Sequence, residues 1–202
     1  MSNLNFNNKE LNLKIVYYGA GLCGKTTNLR SIFAAFPSER RGKMMSLATD
    51  LDQTLFFDFL PVDMGSIKGW KLRFHLFTVP GQVYYNVSRK LVLKGVDGLV
   101  FVVDSQEERL EENIESYNNL MDNLKIYGLT IKDIPMVVQY NKRDLPNIIP
   151  ISDLQLHLNK GGFTYFESVA MRGLGVFDTL KSVCHLTILK QIEQIPNLQE
   201  NK

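Results

Sequence analysis

The sequence of 202 residues is short of cysteine, of charge of one sign and of long apolar runs. Cys23 and Cys184 are the two cysteines. They are too few for a disulfide framework in a chain with this much apolar material, so a reducing cytosol is expected. No apolar run approaches the roughly 18 residues of a membrane-spanning helix. The first ten residues are polar and Asn-rich and lack the basic and apolar segments of a secretory leader. Ser2 is not the glycine that myristoylation needs, and Gln199-Glu200-Asn201-Lys202 carries no prenylatable cysteine, so no direct membrane anchor is expected. Lys plus Arg total 23 against 21 Asp plus Glu. The resulting +2 is too weak for bulk attraction to nucleic acid and excludes an acidic tail. Fourteen glycines and seven prolines without a period exclude collagen-like or low-complexity chains, and no solenoid-length repeat occurs.

What is present is the composition of a globular domain, 45% hydrophobic and 22% charged. Apolar, β-branched runs at 11–18, 54–62, 71–79, 96–104, 134–140 and 163–166 read as six strands. Helical patterns lie between them at 27–36, 107–127 and 152–159, with a further helix between the third and fourth strands and a last one at 176–192. The connector 63–69 carries Gly65 and Gly69 and suits a hairpin turn, which makes one edge strand antiparallel. Continuously apolar strands alternating with helices predict an α/β fold, a mostly parallel six-stranded sheet with helices on both faces. Such sheets bind ligands at the carboxyl ends of their strands. Residues 11–195 read as one domain, with tails at 1–10 and 196–202.

Gly19-Ala20-Gly21-Leu22-Cys23-Gly24-Lys25-Thr26 follows the first strand and opens the first helix, matching G-x-x-x-x-G-K-[ST]. The glycines let main-chain amides approach a phosphate, and the helix N-terminus beyond them attracts an anion. Lys25 is expected to bridge the β and γ phosphates and the Thr26 hydroxyl to ligate Mg²⁺, with Thr27 completing the cradle. Asn141-Lys142-Arg143-Asp144 follows the strand at 134–140. A carboxylate at Asp144 accepts from guanine N1–H and the exocyclic amine, a donor pair that adenine lacks. Asn141 would tie this segment to the phosphate loop, and the stem of Lys142 would lie over the base. Together the two motifs predict a P-loop domain that binds GTP or GDP.

Here the chain resembles the Ras-like small GTPases over almost its whole length. Phe166-Glu167-Ser168-Val169-Ala170 sits at that family's E-x-S-A segment, which implies that the Ala170 amide meets guanine O6 and that Val169 borders the base. Val169 and Met171 depart from the usual Ser and Lys. Thr78-Val79-Pro80-Gly81-Gln82 stands where the family has D-x-x-G-Q. The resemblance gives Gly81 an amide for the γ-phosphate and Gln82 the task of orienting the attacking water. The usual metal-side Asp is replaced by Thr78, and Asp58 on the neighbouring strand is the candidate substitute. Thr54 stands where switch I supplies a hydroxyl to Mg²⁺. The segments 54–61, 78–86 and 139–146 are similar to the MglA group of bacterial Ras-like GTPases, which act in cell polarity and in gliding or pilus-driven motility.

That resemblance implies a monomeric GTPase switch with motility or polarity effectors and a roadblock-fold activating partner of the MglB type. It also implies recruitment to a cell pole. The group typically has an Arg before the switch I Thr, but here the residue is Gln53. A neutral side chain cannot act as an arginine finger, so either hydrolysis is slow or another arginine serves, Arg40 and Arg41 being within sequence reach. The alternative is a GTP-binding effector scaffold with negligible hydrolysis. A P-loop ATPase or kinase is a second rival, opposed by the N-K-R-D segment. His75, His157 and His185 lack metal-ligand spacing and read as structural. Trp70 reads as packing, Tyr84 and Tyr85 as contact residues on switch II, and Glu107, Glu108, Glu111 and Glu112 as a solvated helix start.

Overall fold

The structure is a computed structural model and describes residues 3–5, 7–47, 57–82 and 85–194. Among the described residues eight strands form one sheet: β1 (Asn3–Asn5), β2 (Glu10–Tyr18), β3 (Met45–Leu47), β4 (Phe57–Ile67), β5 (Trp70–Thr78), β6 (Gly98–Asp104), β7 (Met136–Asn141) and β8 (Tyr165–Glu167). The helices are α1 (Lys25–Ala35), α2 (Asn86–Leu93), α3 (Leu110–Ile126), α4 (Ile151–Leu158) and α5 (Val176–Gln194).

The order across the sheet is β3-β4-β5-β2-β6-β7-β8, and β1 pairs with β2. Strands β5, β2, β6, β7 and β8 run parallel. The expected hairpin is β4–β5, but β4 runs on through the 63–67 connector to Ile67, and Lys68 and Gly69 make the turn. Two short strands exceed the expected six. β3 pairs antiparallel with β4, and β1 pairs antiparallel with β2 at Glu10–Asn12, short of where β6 begins to pair at Ile15. The antiparallel part is therefore larger than one edge strand. Three-residue segments carry too little periodicity to be read as strands.

The strand β2 shows how the core is divided. Leu13, Ile15 and Tyr17 pack on one face with Leu29 and Ile32 of α1 and Leu180 and Val183 of α5. Val16 and Tyr18 pack on the other with Val92, Leu120, Leu124, Leu154 and Leu158 of α2, α3 and α4. Every residue of β6 is buried, which is why its sequence is apolar without alternation. The chain leaves β2 toward β4 and β5 on one side and later crosses to β6 on the other. The carboxyl end of β2 is thus the switch point where such sheets open a crevice.

Candidate functional site

The phosphate loop occupies that crevice. Gly19 has φ 146°, and a Cβ there would overlap the Val102 carbonyl oxygen of β6. Gly24 has φ 106° and caps α1, and a Cβ there would collide with the Asn141 amide. Leu22 (φ 63°) and Lys142 (φ 66°), neither a glycine, hold left-handed backbones in the two loops expected to meet the ligand. Strain of that kind costs about 1–3 kcal/mol each and persists where its surroundings over-determine it.

Lys25 is 6% exposed. Its Nζ donates to the Gly19 carbonyl oxygen at 3.0 Å and to that of Ala20 at 2.6 Å, and lies 3.7 Å from Cys23 Sγ. Among the described residues no carboxylate reaches ion-pair distance of it. Burial pushes the Lys25 ammonium below the ordinary lysine range, opposed chiefly by Cys23. A buried cation held by neutral carbonyls beside a helix N-terminus suits an anionic ligand. It borders a cavity of about 440 Å³ lined by Gly24, Thr26, Thr27, Asp58, Thr78 and Gly81, among others.

One corner of this cavity is a carboxylate ringed by hydroxyls. Thr26 Oγ1 donates to Asp58 Oδ2 at 2.6 Å, Thr78 Oγ1 to the same oxygen at 2.9 Å, and Ser46 Oγ to Asp58 Oδ1 at 2.7 Å. The Asp58 amide donates back to Thr78 Oγ1 at 2.8 Å. Among the described residues no cluster of three acidic, His or Cys side chains could hold a metal alone. Mg²⁺ needs none, because it keeps waters and takes phosphate oxygens. A Thr26 hydroxyl that donates its hydrogen bond to Asp58 keeps its lone pairs for a cation, so these residues fit Mg²⁺.

At the base end, Asn141 Nδ2 donates to the Cys23 carbonyl oxygen at 2.8 Å and so joins N-K-R-D to the phosphate loop. Its Oδ1 accepts from Ser168 Oγ at 3.0 Å and from the Ala170 amide at 2.9 Å. The amide expected at guanine O6 is therefore held by Asn141 here. Val169 bonds across the turn to Leu174 instead. Lys142 Nζ pairs at 2.6 Å with Asp104, whose side chain is fully buried, which fixes the lysine stem. The Asp144 side chain is 28% exposed, with the Arg172 guanidinium 3.8 Å away.

Two residue sets escaped the sequence reading. Asn28 donates to the Gly24 carbonyl oxygen and exchanges two hydrogen bonds with Gln139 of β7, which also donates to Thr179 Oγ1 of α5. A lone Gln inside an apolar strand was the available signal. Arg89 of α2 is fully buried and donates to the Pro80 and Gly81 carbonyl oxygens and to Asn119.

The model of the ADP-ribosylation factor (Arf) family matches residues 1–186. The mutual gliding-motility protein MglA of Myxococcus xanthus (strain DK1622) is 55% identical over 188 residues, 93% of this chain and 96% of that protein. The chain belongs to the Arf family. Within that family it is a small GTPase of MglA type, and the family binds guanine nucleotides.

In this GTPase, Gln53 and Thr54 of switch I and Tyr84 of switch II lie outside the described residues. Gln82 borders a second recess of about 500 Å³, with Gly21, Gly81, Arg89, Arg109 and Ser116. Gly81 lies so close to Gly21 that a Cβ on it would overlap the Gly21 Cα. Arg40 and Arg41 are not at the phosphate site. Arg41 Nε donates to the Phe36 carbonyl oxygen at 2.9 Å with its guanidinium 3.5 Å from the Phe33 ring centre, and Arg40 lies over Phe36. Both sit at the far end of α1 from Lys25. His75 bonds Asn12 and stacks on Phe59, and Cys23 and Cys184 are buried free thiols. Trp70 is packed in the core. Among the described residues no helix is long and apolar enough to cross a membrane.

Proposed function

We propose that this chain is a molecular switch that binds GTP and GDP with Mg²⁺ and hydrolyses GTP to GDP and phosphate. Its output is control of cell polarity and surface motility, with a roadblock-fold partner of the MglB type as activator. The observation that carries this reading is the Asn141 bridge to Cys23, because it makes the anion cradle and the guanine-selecting segment parts of one site. Lys25 exchanges its carbonyl partners for phosphate oxygens. Asp144 accepts the two guanine donors, and Thr26 with Asp58 and Thr54 forms the metal corner. When bound there, Mg²⁺ neutralises charge on the phosphates. Gly81 offers its amide to the γ-phosphate and Gln82 orients the water. The likeness to a named gliding-motility protein supports the cellular role.

The experiment is identification of nucleotide on the purified chain, followed by single-turnover phosphate release with and without the partner. Bound GDP or GTP, and release faster than that of a Gln82→Leu variant, are expected. Release at the Gln82→Leu rate in both conditions would favour the scaffold reading, and ATP displacing GDP at equal concentration would contradict the base assignment.

A further inference from the structure

The sequence leaves this GTPase without the switch I arginine typical of the MglA group, since Gln53 stands there. The charge that develops on the transferring phosphoryl group still requires neutralising, and a cation supplied there is worth about 10³–10⁵ in rate in GTPases generally. Several arginines can be set aside by their contacts. Arg40 and Arg41 are engaged at the far end of α1. Arg89 is buried and donates to Pro80, Gly81 and Asn119. Arg109 is paired with Glu112 and with the Gly21 carbonyl oxygen, on the recess side of the loop.

Arg30 differs from all of these. It lines the same cavity as Lys25, Thr26, Asp58 and Gly81. It is exposed, and its guanidinium has no hydrogen bond or ion pair among the described residues. It stands four residues after Thr26 on α1, so the two share one helix face. Helical side chains lean toward the N-terminus, which carries a long side chain from position 30 back toward Thr26 and the phosphate end. Along the helix axis position 30 lies four residues, about 6 Å, beyond Thr26, a span within the reach of an arginine.

We propose that Arg30 supplies, from α1, the guanidinium that neutralises the phosphoryl group during GTP hydrolysis, in the role left open at Gln53. This rests on the hydrolytic reading above. In the step, the water oxygen bonds to the γ-phosphorus and the bond from that phosphorus to the bridging oxygen breaks. GDP keeps the bridging oxygen with its electron pair, and the protons of the water end on the released phosphate. The Arg30 guanidinium donates to the non-bridging oxygens as their charge redistributes.

The test compares parent, R30A and R30K chains, without partner, in single-turnover hydrolysis, in GDP affinity and in affinity for GDP with aluminium fluoride. R30A is expected to hydrolyse at least about tenfold more slowly and to lose the aluminium fluoride complex in proportion, with GDP affinity within about threefold of the parent. R30K recovers only part of the rate, because an ammonium lacks the planar fork, and added guanidinium ion restores part of the R30A rate. R40A and R41A keep the parent rate. An R30A rate equal to the parent's, or a loss of GDP affinity as large as the loss of rate, would overturn the assignment of Arg30 alone. A parent that binds GTP without turning it over would overturn the hydrolytic reading and this assignment with it.

Discussion

Lys25 is a buried ammonium held by two carbonyl oxygens in place of an anion. A buried charge without a counter-ion destabilises the empty fold, and a phosphate removes that cost. Lys25→Ala is therefore expected to leave the melting midpoint of the nucleotide-free chain unchanged or raised, while the rise caused by saturating GDP disappears. Differential scanning fluorimetry with and without GDP reads both. A variant that still gains the parent's GDP-dependent rise would remove Lys25 from the site. The sequence showed this lysine clearly, because its motif fixes a strand, a turn and a helix together. It offered Asp58 as the substitute for the carboxylate missing at Thr78, but not the hydroxyls around it. The three hydroxyls that converge on Asp58 come from α1, β3 and β5, and pairings across a sheet are not written in local spacing. For the same reason Arg40 and Arg41 read as near the phosphates along the chain yet lie at the opposite end of α1.

At the scale of elements, α1, β7 and α5 are tied by the buried amides of Asn28 and Gln139 and the Thr179 hydroxyl. The tie ends on the Gly24 carbonyl oxygen at the start of α1, one residue from where Asn141 grips Cys23. Removing one member leaves a buried polar group unsatisfied, at a cost of about 1–3 kcal/mol, whereas removing both members of a pair costs less. Gln139→Leu is expected to lower stability by about that amount and to speed GDP release. Asn28→Leu combined with Gln139→Leu recovers part of the stability but not the slow release. Urea unfolding and release of a fluorescent GDP analogue measure the two effects, and a double variant that regained both would reduce the network to a packing role. The strands and helices of the core were legible because each face of β2 and the whole of β6 carry their burial in plain sequence. The network was not, since an Asn on a helix and a Gln on a strand announce no partner until the sheet brings them together.

At the scale of the whole molecule, five parallel strands bring the phosphate loop, the segment at 78–82 and N-K-R-D to one edge of the sheet. That convergence was legible from the order of elements alone, whereas the short strands β1 and β3 were not, because three residues carry no period. Under the proposed function this edge is a single site whose far end, at Asp144, chooses the base. Calorimetric titration of parent and Asp144→Asn with GDP and with xanthosine diphosphate tests it most directly. Xanthine carries a carbonyl where guanine carries the exocyclic amine, so an asparagine amide can donate where the carboxylate accepted. Asp144→Asn is expected to bind GDP at least about a hundredfold more weakly than the parent and to prefer xanthosine diphosphate. An Asp144→Asn chain that binds GDP as tightly as the parent, with no gain for xanthosine diphosphate, would contradict the account.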